Sequence, residues 1–324
     1  MILPNLFIPG AAKSGTSSLH NYLSQHPDIF MSKVKEPHFF SHNELYAKGL
    51  GEYSKFFEAG KDCKIRGESS TGYMIFPHVI ERIKEHIPNP KFIFILRNPI
   101  DRAYSHYLWL LGHESKKFRE AFLTSLDFQP DPNKHHIKGG GFYYFHSGLY
   151  GHWIQRFIET FGKDAVFIIT VESLKSQPLS TLNKCCDFLN ISHFEEVKSL
   201  KLNKTILFRH RLIAKYYLKL FGLSSESPNN FSWESVYGWE PQKISPVKQT
   251  ILAKILQKAM SLKAAKLVIK KIALRKTYPR ITSEERSWIA SYYKDDIQHL
   301  RQLTGMSFED WSKDFPRESV IKSV

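Results

Sequence analysis

Short apolar runs alternate with amphipathic segments along the first two thirds of the chain. The runs have the length of buried strands and occupy residues 5–9, 29–31, 91–96 and 165–171. Segments with apolar residues at helical spacing separate them, at residues 76–87, 99–111, 153–161 and 179–189. Strands that alternate with helices are typical of an α/β fold. We therefore predict a central parallel sheet flanked by helices.

The C-terminal third has a mostly helical pattern. Thr282 and Glu285 form a capping-box pair that opens one helix, and Gly305 ends it. Before it, residues 249–276 contain many lysines and no acid, with apolar residues on one side. We interpret this stretch as the solvated face of a packed helix, and peripheral contact with an anionic membrane or an acidic substrate stays open. We predict a helical C-terminal part with a helical insertion over residues 205–277.

Residues 112–147, between the predicted helices at 99–111 and 153–161, are mostly polar. They contain three consecutive glycines at 139–141, followed by the aromatic run at 142–145. Long loops of this kind are often functional. We predict that residues 112–147 form a loop insertion and that its aromatic run is a mobile flap rather than core.

Composition narrows the protein class. The 324 residues are 42% hydrophobic, which provides a large core and excludes a disordered, collagen-like or disulfide-stapled chain. Lysine and arginine number 46 against 31 acidic residues, which leaves a formal charge of +15. This charge attracts anions such as nucleic acid, anionic lipid, a phosphorylated cofactor or an acidic polymer. No nucleic-acid-binding motif accompanies it, so we predict no nucleic-acid partner.

Three further features concern the compartment. No stretch approaches the roughly 18 uncharged apolar residues of a membrane span, and the first apolar run begins near Leu6, which leaves no room for a signal peptide. Cys63, Cys185 and Cys186 are odd in number and two of them are adjacent, which is unfavourable for disulfides. We therefore expect reduced thiols and an intracellular, cytoplasmic protein.

The turn from Gly10 to Ser18 joins the first predicted strand to a helix. Its glycines allow backbone amides to converge on an anion at the positive end of that helix. Lys13 lies before Gly15 rather than after it, so the turn is not a Walker A sequence. It indicates a nucleotide phosphate cradle without the usual magnesium apparatus, and a structural glycine turn is the alternative.

Arg97 follows the apolar run at residues 91–96. The carboxyl edge of a parallel sheet is where such folds bind ligands, and the planar guanidinium group suits a phosphate. Ser105, two turns along the next helix, is placed to reach the same anion. The structural alternative pairs Arg97 with Asp101 or Glu68 and leaves Ser105 in solvent.

Glu36 and His38 lie in a loop, because Pro37 disfavours the helical conformation at the residue before it. In these aromatic surroundings we expect the pKa of Glu36 to be raised toward neutrality, which suits a general base. His38 either orients that base or replaces it. A metal site made by Glu36, His38 and His42 lacks helical spacing and further ligands, so we predict no metal.

In combination, these motifs resemble the sulfotransferases that use 3'-phosphoadenosine 5'-phosphosulfate (PAPS), particularly bacterial relatives of the heparan sulfate sulfotransferases. Residues 9–19 (PGAAKSGTSSL) are similar to the family's 5'-phosphosulfate loop, residues 35–40 (KEPHFF) to the loop of its catalytic glutamate, and residues 92–105 (FIFILRNPIDRAYS) to its 3'-phosphate element. The likeness extends over nearly the whole chain and implies one domain over residues 1–324 with a P-loop-NTPase-like sheet.

The resemblance also implies site residues and chemistry. The implied catalytic residues are Glu36, Lys13 and His38, and the implied donor ligands are Lys13, Ser14, Gly15, Thr16, Ser17, Ser18, Arg97 and Ser105. The implied reaction transfers a sulfuryl group from PAPS to an acceptor hydroxyl, without a metal. The alternatives are a kinase-like phosphotransferase on a degenerate P-loop and a catalytically inactive nucleotide- or glycan-binding module.

The acceptor stays open at this stage. The animal glycan enzymes carry a lysine where this chain has Ser69, and some carry an acid where it has Ser41. An acidic glycan agrees with the basic charge, while a lipid, a polyketide, a small alcohol or an amine are the alternatives. The sequence does not indicate an oligomeric state.

Overall fold

A computed structural model describes residues 1–110, 117–128, 143–198 and 281–316. Apart from Trp109 and Leu110, these residues belong to one compact unit of the chain. The predicted insertion at residues 205–277, with the lysine-rich stretch at 249–276, lies outside the described residues, as does much of the predicted loop at 112–147.

The centre of the fold is a five-stranded, wholly parallel sheet with the strand order β2-β3-β1-β4-β5. Leu6 lies opposite Gly67 on one side and Lys91 on the other, so β1 is the central strand. The strands are β1 (Leu6–Phe7), β2 (Ile29–Met31), β3 (Ile65–Glu68), β4 (Lys91–Leu96) and β5 (Val166–Thr170).

Helices lie between the strands, as parallel connections require. The first group is α1 (Thr16–Leu23), α2 (Asn43–Tyr46), α3 (Gly49–Ser54), α4 (Pro77–His86), α5 (Pro99–Leu110) and α6 (Phe118–Thr124). The second group is α7 (Tyr150–Phe161), α8 (Val171–Ser176), α9 (Pro178–Leu189) and α10 (Ser283–Thr304).

The two faces of the sheet are packed by alternate residues of β4. Ile93 and Ile95 belong to the aliphatic core that contains residues of α1 and α9. Phe92 and Phe94 instead contact Phe157 of α7, with ring centroids 5.0 and 5.1 Å apart. Because side chains alternate along a strand, both faces of β4 are buried, and its sequence is almost uninterruptedly apolar.

The terminal helix α10 packs closely on α7. A Cβ atom at Gly151 would lie 2.7 Å from the backbone oxygen of Asp296, so the helices meet where no side chain fits. The Asp296 carboxylate accepts the backbone N–H groups of Gly151 and His152 at 2.9 and 2.8 Å. These bonds satisfy free amides at the start of α7.

Most of the predicted elements are present. β2 and β4 have the predicted bounds, and α10 begins with the Thr282–Glu285 capping box and ends at Gly305. All three cysteines are free thiols, as predicted. The strand β3 was not predicted, because Arg66, Gly67 and Glu68 make up three of its four residues and it lacks an apolar run.

The interpretation of residues 143–145 as a mobile flap is wrong. Tyr143 and Tyr144 are buried, and the ring of Phe145 stacks on Tyr293 at 5.6 Å. The Tyr144 carbonyl accepts hydrogen bonds from the buried guanidinium group of Arg102 and from the Tyr293 hydroxyl. These aromatic residues therefore form part of the core, between α5 and α10.

Candidate active site

The turn between β1 and α1 is built around Gly15. Its φ of 96° is in the left-handed region, and an added Cβ would lie 3.2 Å from Val171. Both features favour glycine at this position. Because α1 has no side-chain cap at its N-terminus, its first amides are not satisfied by a capping residue. This is the arrangement that binds anions at helix N-termini.

Arg97 lies next to this turn, because β4 is the neighbour of β1. Its Nη1 donates to the backbone oxygen of Lys13 at 3.4 Å, and its own backbone oxygen accepts from the Tyr150 hydroxyl at 2.7 Å. The structural alternative of an ion pair with Asp101 or Glu68 is wrong. Asp101 binds Arg286 instead.

Glu36 is held by the segment that follows β3. Its backbone N–H donates to the Ser69 carbonyl at 2.9 Å. Oε2 of its carboxylate accepts from the backbone N–H and the hydroxyl of Thr71, at 2.8 and 3.1 Å. Two residues on, the His38 N–H donates to the Ser70 hydroxyl at 3.0 Å. Residues 69–71, directly after β3, therefore hold both Glu36 and His38 through hydrogen bonds.

The backbone of this loop is unusual. Glu36 and His38 have φ angles of 63° and 53°, in the left-handed region that side chains disfavour. Such conformations persist where surrounding contacts determine them, and they are frequent at functional sites. The hydrogen bonds from the loop to Ser69, Ser70 and Thr71 supply those contacts.

The charge on Glu36 is stabilised rather than suppressed. Burial disfavours its ionised form, but the ammonium group of Lys35, the His38 ring and the bonds from Thr71 outweigh burial and lower its pKa to about 2. The expectation of a raised pKa is therefore wrong. The reason is the direct ion pair between Lys35 and Glu36, which the apolar surroundings of the loop did not reveal.

His38 lies beside this carboxylate. Its Nε2 is 3.4 Å from Oε2 of Glu36, and its Nδ1 is 3.2 Å from the Ser41 hydroxyl. The same hydroxyl is 3.0 Å from Nδ1 of His42. Ser41 therefore contacts two imidazole rings, and it fixes the ring orientation of His38.

Lys13 completes a group of neighbouring charges. Burial, the ammonium group of Lys35 and the guanidinium group of Arg97 lower its pKa to about 8, while Glu36 acts in the opposite direction. Nδ1 of His20 in α1 lies 2.8 Å from the Ser69 hydroxyl, and the Ser69 carbonyl accepts the Glu36 backbone N–H, so the helix that follows the turn lies beside the Glu36 loop. The contact between Arg97 and Lys13 joins the end of β4 to the same turn. The three elements singled out in the sequence are thus brought together.

The remaining predicted donor ligands lie on the Gly15 turn, on α1 and on α5. Ser14 and Thr16 are buried, and Ser17 and Ser18 are half-buried in the first turn of α1. Ser105 is half-buried on α5. The roles of these residues as ligands stay predictions.

Several supporting residues were missed in the sequence. Glu68 is fully buried at the end of β3 and accepts from the hydroxyls of Ser70 and Tyr53, at 2.7 and 2.8 Å. Burial raises its pKa to about 7. The Ser70 hydroxyl also accepts the backbone N–H of His38, so Glu68 supports the Glu36 loop through Ser70. The sequence offers no signal for this role, because β3 lacks the apolar run that would place Glu68 at a strand end.

Among the described residues, no group of three or more His, Cys, Asp or Glu side chains is placed to hold a metal ion. In the same part of the chain, no helix combines the length and hydropathy needed to cross a membrane.

Comparison with known proteins gives consistent results. A sequence profile described as "Sulfotransferase domain" matches residues 3–262. The chain is 27% identical to a bifunctional heparan sulfate N-deacetylase/N-sulfotransferase 1 of Caenorhabditis elegans over 65% of its own length and 25% of that protein. It is 29% identical to mouse heparan sulfate glucosamine 3-O-sulfotransferase 5 over 58% of its length and 54% of that protein. The chain thus spans a quarter to about half of these relatives.

A solved structure supports the fold. The crystal structure of a sulfotransferase from Alicyclobacillus acidocaldarius superposes with a TM-score of 0.62, covering 96% of this chain and 99% of that one at 23% identity. The parallel sheet with helices on both faces is therefore the P-loop-like architecture that the sequence predicted.

Proposed function

The chain belongs to the sulfotransferase domain family, and we propose that it transfers a sulfuryl group from PAPS to an acceptor hydroxyl. The observation that supports this most is the meeting of three elements at the carboxyl edge of the sheet. These are the Gly15 turn with Lys13, the arginine at the end of β4, and the ionised Glu36. Each has the chemistry that one part of the reaction needs.

The donor would be held at its two anionic ends. Lys13 and the uncapped start of α1 offer positive charge and N–H groups to the 5'-phosphosulfate. Arg97 has no ion pair with a carboxylate among the described residues, so its guanidinium fork is available for the 3'-phosphate. Ser14, Thr16, Ser17, Ser18 and Ser105 are the further ligands that we propose.

The reaction would be an in-line displacement at sulfur. The acceptor oxygen forms a bond to sulfur while the bond between sulfur and the bridging phosphate oxygen breaks. Glu36 takes the proton of the acceptor hydroxyl, and adenosine 3',5'-bisphosphate leaves as an anion. Lys13 would stabilise the charge that develops on the leaving oxygen. His38, 3.4 Å from Glu36, would orient the base.

We propose that this transfer needs no metal. A sulfuryl group carries less negative charge than a phosphoryl group, so one lysine and a helix N-terminus supply enough positive charge. For the acceptor we propose a hydroxyl of an acidic glycan, because the chain carries a formal charge of +15 and both relatives described above are named for heparan sulfate.

Calorimetry with purified protein in EDTA tests the donor. We expect binding of adenosine 3',5'-bisphosphate that the chelator does not change. Binding of ATP that requires magnesium would instead support a phosphotransferase.

The acceptor is then tested with sulfur-radiolabelled PAPS and a panel of an acidic glycan, a neutral glycan and a simple alcohol. Label in the acidic glycan alone supports the proposal, and donor binding without any transfer supports an inactive binding module.

A further inference from the structure

A partly buried ionic network ties the C-terminal segment to the turn that carries Arg97. The Arg286 guanidinium group donates to both carboxylate oxygens of Asp314, at 2.6 Å each. Its Nη1 also donates to Asp101 at 2.6 Å. Asp314 in turn accepts from Nδ2 of Asn98 at 2.7 Å. The network thus joins Arg286 and Asp314 to Asn98, which directly follows Arg97, and to Asp101 in the first turn of α5.

Each member of the network has a defined place in the fold. Asn98 is buried, and its Oδ1 accepts the backbone N–H of Ile100 at 3.0 Å, which caps the start of α5. The side chain of Asp314 is only 8% exposed. A bidentate pair between arginine and a carboxylate fixes direction as well as distance. Asp314 therefore holds the Asn98 side chain, and through it the turn between β4 and α5, in one orientation.

A second contact acts on the same turn through Tyr150. The backbone oxygen of Arg97 accepts from the Tyr150 hydroxyl, and the ring of Tyr150 lies 6.0 Å from that of the fully buried Trp311. Trp311 precedes Asp314 by three residues. The segment after α10 thus contacts both the Asn98 side chain and the tyrosine that holds the Arg97 backbone.

We propose that Asp314 and Arg286 are positioning residues for the 3'-phosphate subsite. They touch neither the nucleotide nor the acceptor, and they act by fixing the turn from which Arg97 reaches the phosphate. This inference rests on the proposed function, because it assumes that Arg97 binds the 3'-phosphate. It adds that recognition of this phosphate depends on a segment more than 200 residues away along the chain.

The direction of the change in phosphate affinity in Asp314→Asn distinguishes a positioning role from a purely electrostatic one. Asp314→Asn removes a negative charge from the surroundings of the subsite. By Coulomb's law alone, this change would strengthen binding of a phosphate. Weaker binding therefore requires that the turn has lost its orientation. A purely structural role would lower thermal stability and leave the preference for a 3'-phosphate unchanged.

The experiment compares two nucleotides that differ only in the 3'-phosphate. Calorimetry measures the affinities for adenosine 3',5'-bisphosphate and for adenosine 5'-monophosphate in each variant. In Asp314→Asn we expect the ratio of the two affinities to fall about tenfold, since small misplacements of a binding group have effects of this size or larger. Asp310→Asn, an exposed acid on the same segment, is the matched control and should keep the ratio.

Two further variants keep the test decisive. Arg97→Ala should abolish most of the preference for adenosine 3',5'-bisphosphate over adenosine 5'-monophosphate. Adding Asp314→Asn to Arg97→Ala should not lower this preference further. If Asp314→Asn does not fold, Asp101→Asn at the more exposed end of the network should lower the ratio in the same direction. An unchanged or increased ratio overturns the inference. If the parent protein does not bind the bisphosphate at all, the proposed function itself fails.

Discussion

Thr71 donates both its backbone N–H and its hydroxyl to the same carboxylate oxygen of Glu36, at 2.8 and 3.1 Å. Hydrogen bonds to an ionised carboxylate favour the charged form, and here they act together with the Lys35 ammonium group. The candidate base is therefore ionised across the physiological pH range before an acceptor arrives. Its resting charge comes from its neighbours, since burial alone would oppose it.

Replacing this carboxylate tests its role directly. We expect Glu36→Gln to keep affinity for adenosine 3',5'-bisphosphate and to lower kcat by about a hundredfold or more, because the amide cannot accept the acceptor proton. Calorimetry and a radiolabel transfer assay measure the two quantities. Glu58→Gln, at an exposed glutamate, is the control. Normal turnover by Glu36→Gln would show that another group, such as His38, is the base.

The Lys35 ion pair predicts a change in the pH profile. In the parent protein the pKa of Glu36 is about 2, so kcat/KM should show no acid limb from this group between pH 4 and 6. Lys35→Met removes an attractive charge and a hydrogen bond, so the pKa of Glu36 should rise and kcat/KM should fall on the acid side.

Lys33→Met is the matched control for that profile, because Lys33 is exposed two residues away. It should keep the shape of the parent curve. Parallel curves for Lys35→Met and the parent would show that Lys35 does not set the pKa of Glu36. Only the shape of each curve is compared, since loss of a cation near Lys13 is expected to change absolute rates as well.

The pattern of apolar and polar residues predicted the elements in which buried positions carry apolar side chains. β4 is buried on both faces and is apolar at every position after Lys91, and its bounds were predicted correctly. β3 lies between β1 and β2, yet it contains Arg66, Gly67 and Glu68. Arg66 donates to backbone oxygens of Leu3 and Cys63, and Glu68 is satisfied by hydroxyls, so tertiary contacts rather than apolar character place these residues in the sheet.

The candidate site shows the same division. The turn at Gly15 and the arginine after β4 were found because glycine turns and strand ends are visible along the chain. The charge state of Glu36 depends on Thr71, which lies 35 residues away, and on which of its neighbours turns toward it. The aromatic run at 143–145 was misinterpreted for a similar reason. Its partners Arg102 and Tyr293 come from distant parts of the chain.

The raised pKa of Glu68 predicts how the stability of the fold depends on pH. Its pKa is about 7 in the folded protein and near the ordinary value of 4.5 when unfolded, because the carboxyl group is fully buried. Between these values the folded state keeps a proton that the unfolded state releases. The contribution of Glu68 to the free energy of unfolding is therefore fully present below pH 4.5 and falls as the pH rises toward 7, by an amount on the order of 3 kcal/mol.

Denaturant unfolding at pH 5 and pH 8 measures this contribution. The parent protein should lose more stability between the two values than Glu68→Gln does, since the amide does not ionise. Glu81→Gln, at an exposed position on α4, should follow the parent. The difference between variants isolates Glu68 from histidines that titrate in the same range. An identical pH dependence in Glu68→Gln would show that Glu68 is ionised in the folded protein.

The lowered pKa of Lys13 predicts that the protein takes up a proton when adenosine 3',5'-bisphosphate binds. Burial and the nearby cations Lys35 and Arg97 lower its pKa to about 8, so near pH 8.5 a large part of the population is neutral. A bound phosphate would counter these cations, raise the pKa of Lys13 and draw a proton from solution. Calorimetry with adenosine 3',5'-bisphosphate in buffers of different ionisation enthalpy measures this uptake. We expect it near pH 8.5, and we expect Lys13→Arg to abolish it, because arginine stays charged at this pH. Equal uptake by Lys13→Arg and the parent would assign the proton to another group and separate Lys13 from the bound phosphates.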